Sequence, residues 1–141
     1  MPLGAFIADK KIMDSLSFNP VLGHINTFGG HPVSCAAGLA AFSVLLKENY
    51  IADIKLKEQL FVQQLQHPLI KNISSFGLMM AVEFENFDLN KKIIDACIEK
   101  GVFTDWFLFA AHALRIVPPL NISDEEINRA CSIIIRTLNS L

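Results

Sequence analysis

Charge is scarce in this sequence of 141 residues: 18% are Asp, Glu, Lys or Arg, while 52% are hydrophobic. An ordinary soluble domain carries roughly 25% charged residues. The mean hydropathy of +0.39 is high for a small domain, which has much surface to cover. Either the chain packs a large apolar face against something else, or it is part of a larger fold. The formal net charge is −2 and the bases are scattered, which excludes the basic stripe of a nucleic-acid-binding surface. Cysteine is rare as well. Cys35, Cys97 and Cys131 are odd in number and match no metal spacing, which argues against a disulfide framework. Each lies in an apolar helical pattern and reads as a buried small hydrophobe in a reducing, cytoplasmic setting. No apolar run reaches the roughly 18 residues of a membrane span. The longest, Trp106 to Leu114, is about half that and contains His112. Met1 to Ala8, followed by Asp9, Lys10 and Lys11, is too short and wrongly flanked for a signal peptide. Neither nucleic acid nor a membrane is therefore an expected partner.

What is present is a series of short elements. Ala5 to Ala8 reads as a buried strand and Asp9 to Leu16 as a short helix. A glycine-rich bend, Gly23 to Pro32, opens a helix from about Val33 to Glu48, with Pro32 in the first turn, where its missing N–H is not needed. Gly38 in the middle of this helix costs about 1 kcal/mol relative to alanine and implies close packing. A second helix is expected from about Ile51 to Gln66, ending before Pro68. Ile73–Phe76 and Leu78–Phe84 read as strands around Gly77, with Met80, Val82 and Phe84 on one face. A helix over about Leu89 to Lys100 closes at Gly101. Leu114 to Val117 is a strand ended by Pro118 and Pro119. The last helix starts at Ser123 with Glu126 three residues on, the spacing of a capping box. Its apolar stripe is Ile127, Ala130, Cys131, Ile134, Leu138 and Leu141. The order predicts an α+β fold, a small sheet with helices on one face.

Two segments suggest chemistry. In Asn26-Thr27-Phe28-Gly29-Gly30-His31-Pro32 the glycines free backbone N–H groups just before a helix start, an arrangement suited to an anion such as phosphate, with the Thr27 hydroxyl as a further donor. A plain loop before a proline-started helix has the same spacing. In Leu114-Arg115-Ile116-Val117-Pro118-Pro119-Leu120, Arg115 points away from Leu114 and Ile116. Between Trp106 and Ser123 there is no Asp or Glu, so its carboxylate or phosphate partner is expected from elsewhere in the fold or from a substrate. An arginine on a solvent-facing edge is the plain alternative. His24, His31, His67 and His112 show no metal-binding spacing, and no metal is expected. Phe103 to Phe109 is rich in aromatics; it lines a pocket, covers an interface or, the reading preferred here, belongs to the core.

These residues resemble the class III, ornithine- or acetylornithine-type aminotransferases. Met1 to Ile7 looks like the stretch after their Schiff-base lysine, and Thr27 to Ala37 like their phosphate-contact loop and following helix. His67-Pro68-Leu69-Ile70, Gly77 to Glu83, Gly101-Val102 and Leu114 to Leu120 are similar to their C-terminal domain, in the same order. The resemblance covers nearly the whole chain. It implies the C-terminal small domain of a fold-type I pyridoxal-phosphate transferase, a small antiparallel sheet with helices on one face, over residues 46–141. Residues 1–45 would be the end of the large α/β domain. It further implies pyridoxal 5'-phosphate as cofactor and a homodimer in which Thr27 and Phe28 contact the phosphate of the partner subunit's site. Arg115 would bind a substrate carboxylate or pair with a glutamate that moves aside. The substrates implied are an ω-amino donor of ornithine, acetylornithine or lysine type and 2-oxoglutarate. The Schiff-base lysine would lie upstream of Met1, which leaves no catalytic residue in this chain and makes it inactive alone; Lys10 and Lys11 follow the first apolar run and are expected to be exposed. A non-catalytic remnant acting as an interaction or dimerisation module, and an aminomutase of the same fold, are the alternatives.

Overall fold

The structure, a computed structural model, describes Met1 to Leu141 and divides into two units, Met1–Asn49 and Tyr50–Leu141. In the first, Asp9 caps helix α1 (Lys10–Asp14) by accepting from the Lys11 N–H at 2.8 Å. Helix α2 (Pro32–Glu48) has proline in its first turn and ends at Asn49 in the left-handed conformation, φ 51°, a common way to stop a helix. Gly38 does serve close packing: a Cβ there would run into the Leu3 side chain. The expected strand over Ala5 to Ala8 does not form. A strand needs a paired neighbour for its backbone groups, and this unit contains no strand. Phe6 and Ile7 are exposed instead, and no residue from Met1 to Asn49 is buried.

The second unit carries the core. A 3₁₀ turn, Tyr50–Asp53, leads into helix α3 (Ile54–Gln64), so the expected helix from Ile51 begins one turn late. Strands β1 (Asn72–Phe76) and β2 (Met79–Glu83) meet at Gly77, φ 60°, a conformation that glycine adopts without strain. Helix α4 (Phe87–Glu99) is capped by the Asn86 side chain, which accepts from the Leu89 N–H at 2.9 Å. Gly101, φ 87°, follows its C-terminal end. Strands β3 (Asp105–Phe107) and β4 (Ala110–Ile116) form a hairpin, and α5 (Asp124–Leu138) ends the unit. All pairings are antiparallel, in the order β1-β2-β4-β3.

The period of two along the strands fixes which face is buried. Met80 pairs with Ile116 and Val82 with Leu114, and these four point into the helices. Phe61 and Leu65 of the α3 segment, Ile93, Ile94 and Cys97 of α4, and Ile127, Cys131, Ile134 and Leu138 of α5 complete the core. Burying a side chain of this size contributes about 1.5–3 kcal/mol. The α+β architecture, an antiparallel sheet with helices on one face, is as expected. Three details differ. β3 is a strand the sequence did not suggest. The Phe103–Phe109 stretch is not core: Phe103, Leu108 and Phe109 flank or cap an edge hairpin and are exposed. Leu141 lies past the end of α5 and is exposed.

Candidate functional site

The Thr27 segment folds as two overlapping turns, with Gly29 N–H bonded to the Asn26 carbonyl and His31 N–H to the Phe28 carbonyl at 3.2 Å. At Gly29 a Cβ would meet the Asn26 side-chain amide at 2.9 Å, so a larger residue there would push that side chain aside. Gly30 has φ 73°, which favours glycine. The N–H groups of Thr27, Phe28 and Gly30 bond to no protein carbonyl. His31 gives α2 no side-chain cap, so the first N–H groups of that helix stay open. Thr27 and Phe28 are both exposed. Open N–H groups, a hydroxyl and a helix start form a donor set suited to a phosphate.

Arg115 lies in β4 on the sheet face opposite the core, between Leu114 and Ile116, which are buried. The structure supplies an acid from elsewhere in the fold, one of the two sources expected from the sequence. The acid partner of Arg115 is Asp105, one residue outside the window from Trp106 to Ser123. The two residues are paired across the β3–β4 ladder. Arg115 Nε donates to Asp105 Oδ1 at 2.6 Å, and Nη2 donates to Oδ2. The guanidinium stands 5.9 Å from the Phe107 ring centroid. The buried Thr104 hydroxyl donates to the Arg115 carbonyl at 2.6 Å. The signal that would have found Asp105 is the alternation Asp105-Trp106-Phe107 before a tight turn at Leu108-Phe109, which folds back onto β4. Trp106 then faces the helices, edge-on to Phe87 at 5.5 Å.

A second carboxylate was not singled out from sequence. Glu58 of α3 is buried, accepts from the Ser75 hydroxyl at 2.5 Å and pairs with Lys55 at 2.9 Å. The Ser75 hydroxyl and then Lys55 hold its carboxyl below the usual range. It borders a groove of about 610 Å³ lined by Ile54, Phe76, Met79 and Pro118 among others. Cys97 and Cys131 are buried as expected, but Cys35 is exposed. Burial pushes the Cys131 thiol up to about 12 and raises that of Cys97. His67 sits within 3.2 Å of Asn139 and accepts from the Leu69 N–H, a structural role. No group of three or more His, Cys, Asp or Glu is placed to hold a metal ion. No helix is long and apolar enough to cross a membrane. None of the lysines is buried; Lys10, Lys55 and Lys91 pair with acids one turn away.

The chain matches the family described as Aminotransferase class-III over residues 1–138. It is 34% identical over 142 residues to the acetylornithine aminotransferase of Haemophilus ducreyi, covering 100% of this chain and 34% of that protein. It is 32% identical over 145 residues to the acetylornithine aminotransferase of Caldanaerobacter subterraneus subsp. tengcongensis, covering 99% of this chain and 35% of that protein. The chain thus spans about a third of the length of these relatives. Among solved structures it is similar to a Bacillus anthracis aminotransferase, with a TM-score of 0.75 and 28% identity over 84% of this chain and 30% of that one. It is also similar to a thermostable omega transaminase mutant from Pseudomonas jessenii, with a TM-score of 0.78 and 25% identity over 92% of this chain and 31% of that one.

Proposed function

Because the chain belongs to the class III aminotransferase family, we propose that it forms the C-terminal part of an enzyme moving an amino group between an ω-amino donor and 2-oxoglutarate. The donor is of ornithine, acetylornithine or lysine type, a reading supported by two acetylornithine aminotransferases among its relatives. Residues 1–45 are then the end of the large domain and 46–141 the small domain, a division close to the boundary between the two structural units after Asn49. The enzyme is a homodimer in which the Thr27 turn serves the partner's site.

Class III aminotransferases depend on pyridoxal phosphate, and the donor set at the turn fits that group's phosphate. Thr27 donates its hydroxyl, while the backbone N–H groups of Thr27, Phe28 and Gly30 are open to the remaining oxygens. When bound, the cofactor supplies the electron sink for amino transfer. The residues of this chain bind and orient. Thr27 and Phe28 hold the phosphate, and Arg115 holds a carboxylate of the oxo-acid substrate. None of this chain's lysines is buried, and none is assigned the bond to the cofactor.

The observation that carries this reading is Arg115, a guanidinium paired with Asp105 on the sheet face opposite the core, three residues before Pro118 in the segment Leu114–Leu120. Arg115→Ala in the complete enzyme should raise KM for 2-oxoglutarate by at least about tenfold, since a hydrogen bond to a charged group contributes roughly 1.5–3 kcal/mol. KM for the amine donor should stay nearly constant. Unaltered 2-oxoglutarate kinetics would remove the role.

One observation favours a second reading, a non-catalytic interaction module. Helix α2 is apolar around most of its circumference and buries no residue within its unit, as with helices that finish inside a larger assembly. Light scattering separates the two. A stable monomer that does not pair with an N-terminal aminotransferase segment favours the module; tight pairing with that segment favours the enzyme.

A further inference from the structure

We propose that Asp105 is a positioning residue for Arg115: it holds the side edge of the guanidinium and leaves the end fork turned outward for one carboxylate of a dicarboxylic oxo acid. The inference rests on the assignment of Arg115 as the carboxylate-binding residue, and it adds how that arginine is prepared for its ligand.

A guanidinium has two edges on which a carboxylate can sit. Asp105 occupies the edge formed by Nε and Nη2. Both hydrogens of Nη1 and the outer hydrogen of Nη2 have no protein acceptor, and one from each nitrogen forms the second edge. Two contacts orient the guanidinium and a third anchors its strand. Asp105 stands directly opposite Arg115 in the ladder, so the acid is delivered by a strand rather than a loop. Phe107 lies near the cation at 5.9 Å. Thr104 ties its hydroxyl to the Arg115 carbonyl.

The surroundings suit a ligand. The Arg115 side chain keeps 42% of its exposure. It leaves the sheet on the face opposite the core, and Asp105 is the one charged side chain paired with it. An arriving carboxylate therefore adds to the Asp105–Arg115 pair instead of replacing Asp105. Displacement would break two charge-assisted hydrogen bonds that a single hairpin holds together. A preset fork also spares the ligand the loss of rotamer freedom that a long side chain otherwise undergoes on binding.

The test uses the full chain with nitrogen-15-labelled arginine, titrated with 2-oxoglutarate. The Arg115 Nε–H resonance should hold its paired position while the Nη resonances move. Asp105→Ala should weaken binding by about tenfold, the scale expected for one freed rotamer-rich side chain. Asp105→Glu, which keeps a carboxylate, should recover most of that loss. Unchanged Trp106 fluorescence would show that β3 stays in place. Equal or tighter binding by Asp105→Ala, or loss of the Nε–H signal as the ligand binds, with Arg115→Ala abolishing binding, would overturn the positioning role and leave Arg115 as the carboxylate site. If Arg115→Ala binds like the native chain, or the native chain does not bind, the assignment of Arg115 fails and the inference falls with it.

Discussion

Ser75 on β1 donates its hydroxyl to the carboxylate of Glu58 on α3 at 2.5 Å, tying an edge strand to the helix above it. Hydrogen bonding from Ser75 and attraction to Lys55 hold the Glu58 carboxyl below its ordinary value of 4.5. A depressed carboxyl stabilises the fold above its unfolded pKa, and that contribution is lost as pH falls through the folded pKa. Ser75→Ala should therefore move the acid-unfolding midpoint to higher pH, read from Trp106 fluorescence. An unmoved midpoint would show that the pair does not contribute.

The Ser123 capping box makes a separate prediction. The Ser123 hydroxyl accepts from the Glu126 N–H, and the Glu126 carboxylate accepts from the Ser123 N–H at 2.8 Å. Ser123→Ala should lower stability by about 1 kcal/mol, and Ser123→Gly by only a few tenths. Denaturant titration of both variants checks the order. Equal losses would argue against the cap.

The cysteines divide by burial. Only the thiolate reacts with alkylating reagents, so at pH 8 the native chain should label at Cys35 alone, and at all three sites once denatured. The Cys131 thiol, pushed up to about 12, favours its neutral form in the fold. Its contribution is full below the ordinary thiol pKa and is lost as pH rises from about 9 toward 12. Alkaline unfolding should accordingly fall in that window. Rapid native labelling of Cys97 or Cys131 would contradict the packing.

Thr27→Ala in the complete enzyme should weaken retention of pyridoxal phosphate by about tenfold, the order expected for one hydrogen bond to a charged group. Equilibrium dialysis measures it. Unchanged affinity would remove Thr27 from the site.

Much of the fold was legible because its signals are local. The capping box at Ser123, Pro32 at the start of α2, Gly101 beyond α4 and the period of two through Met80, Val82 and Phe84 each specify an element without its neighbours. The misreadings arose where pairing decides. Ala5 to Ala8 is apolar enough for a strand but has no ladder to join. Asp105-Trp106-Phe107 is too short to stand out, yet becomes a strand because β4 offers it an edge. Reading Phe103 to Phe109 as core followed from composition, whereas a hairpin tip leaves Leu108 and Phe109 in the open. The same blind spot hid Asp105: its contact with Arg115 is a matter of register, and linear spacing contains no register. Glu58 and Ser75 lie 17 residues apart and give no motif.

The most direct test of the proposed role is to add pyridoxal phosphate to the purified chain, follow the absorbance, reduce with borohydride and map any modified lysine. No lysine in this chain is buried, and the residue that bonds the cofactor is assigned elsewhere in the enzyme. The expected result is no saturable band and no uniquely labelled lysine, together with a band once an N-terminal aminotransferase segment is supplied. A saturable band with one labelled lysine in the chain alone would contradict the proposal, because these residues would then build a cofactor site by themselves.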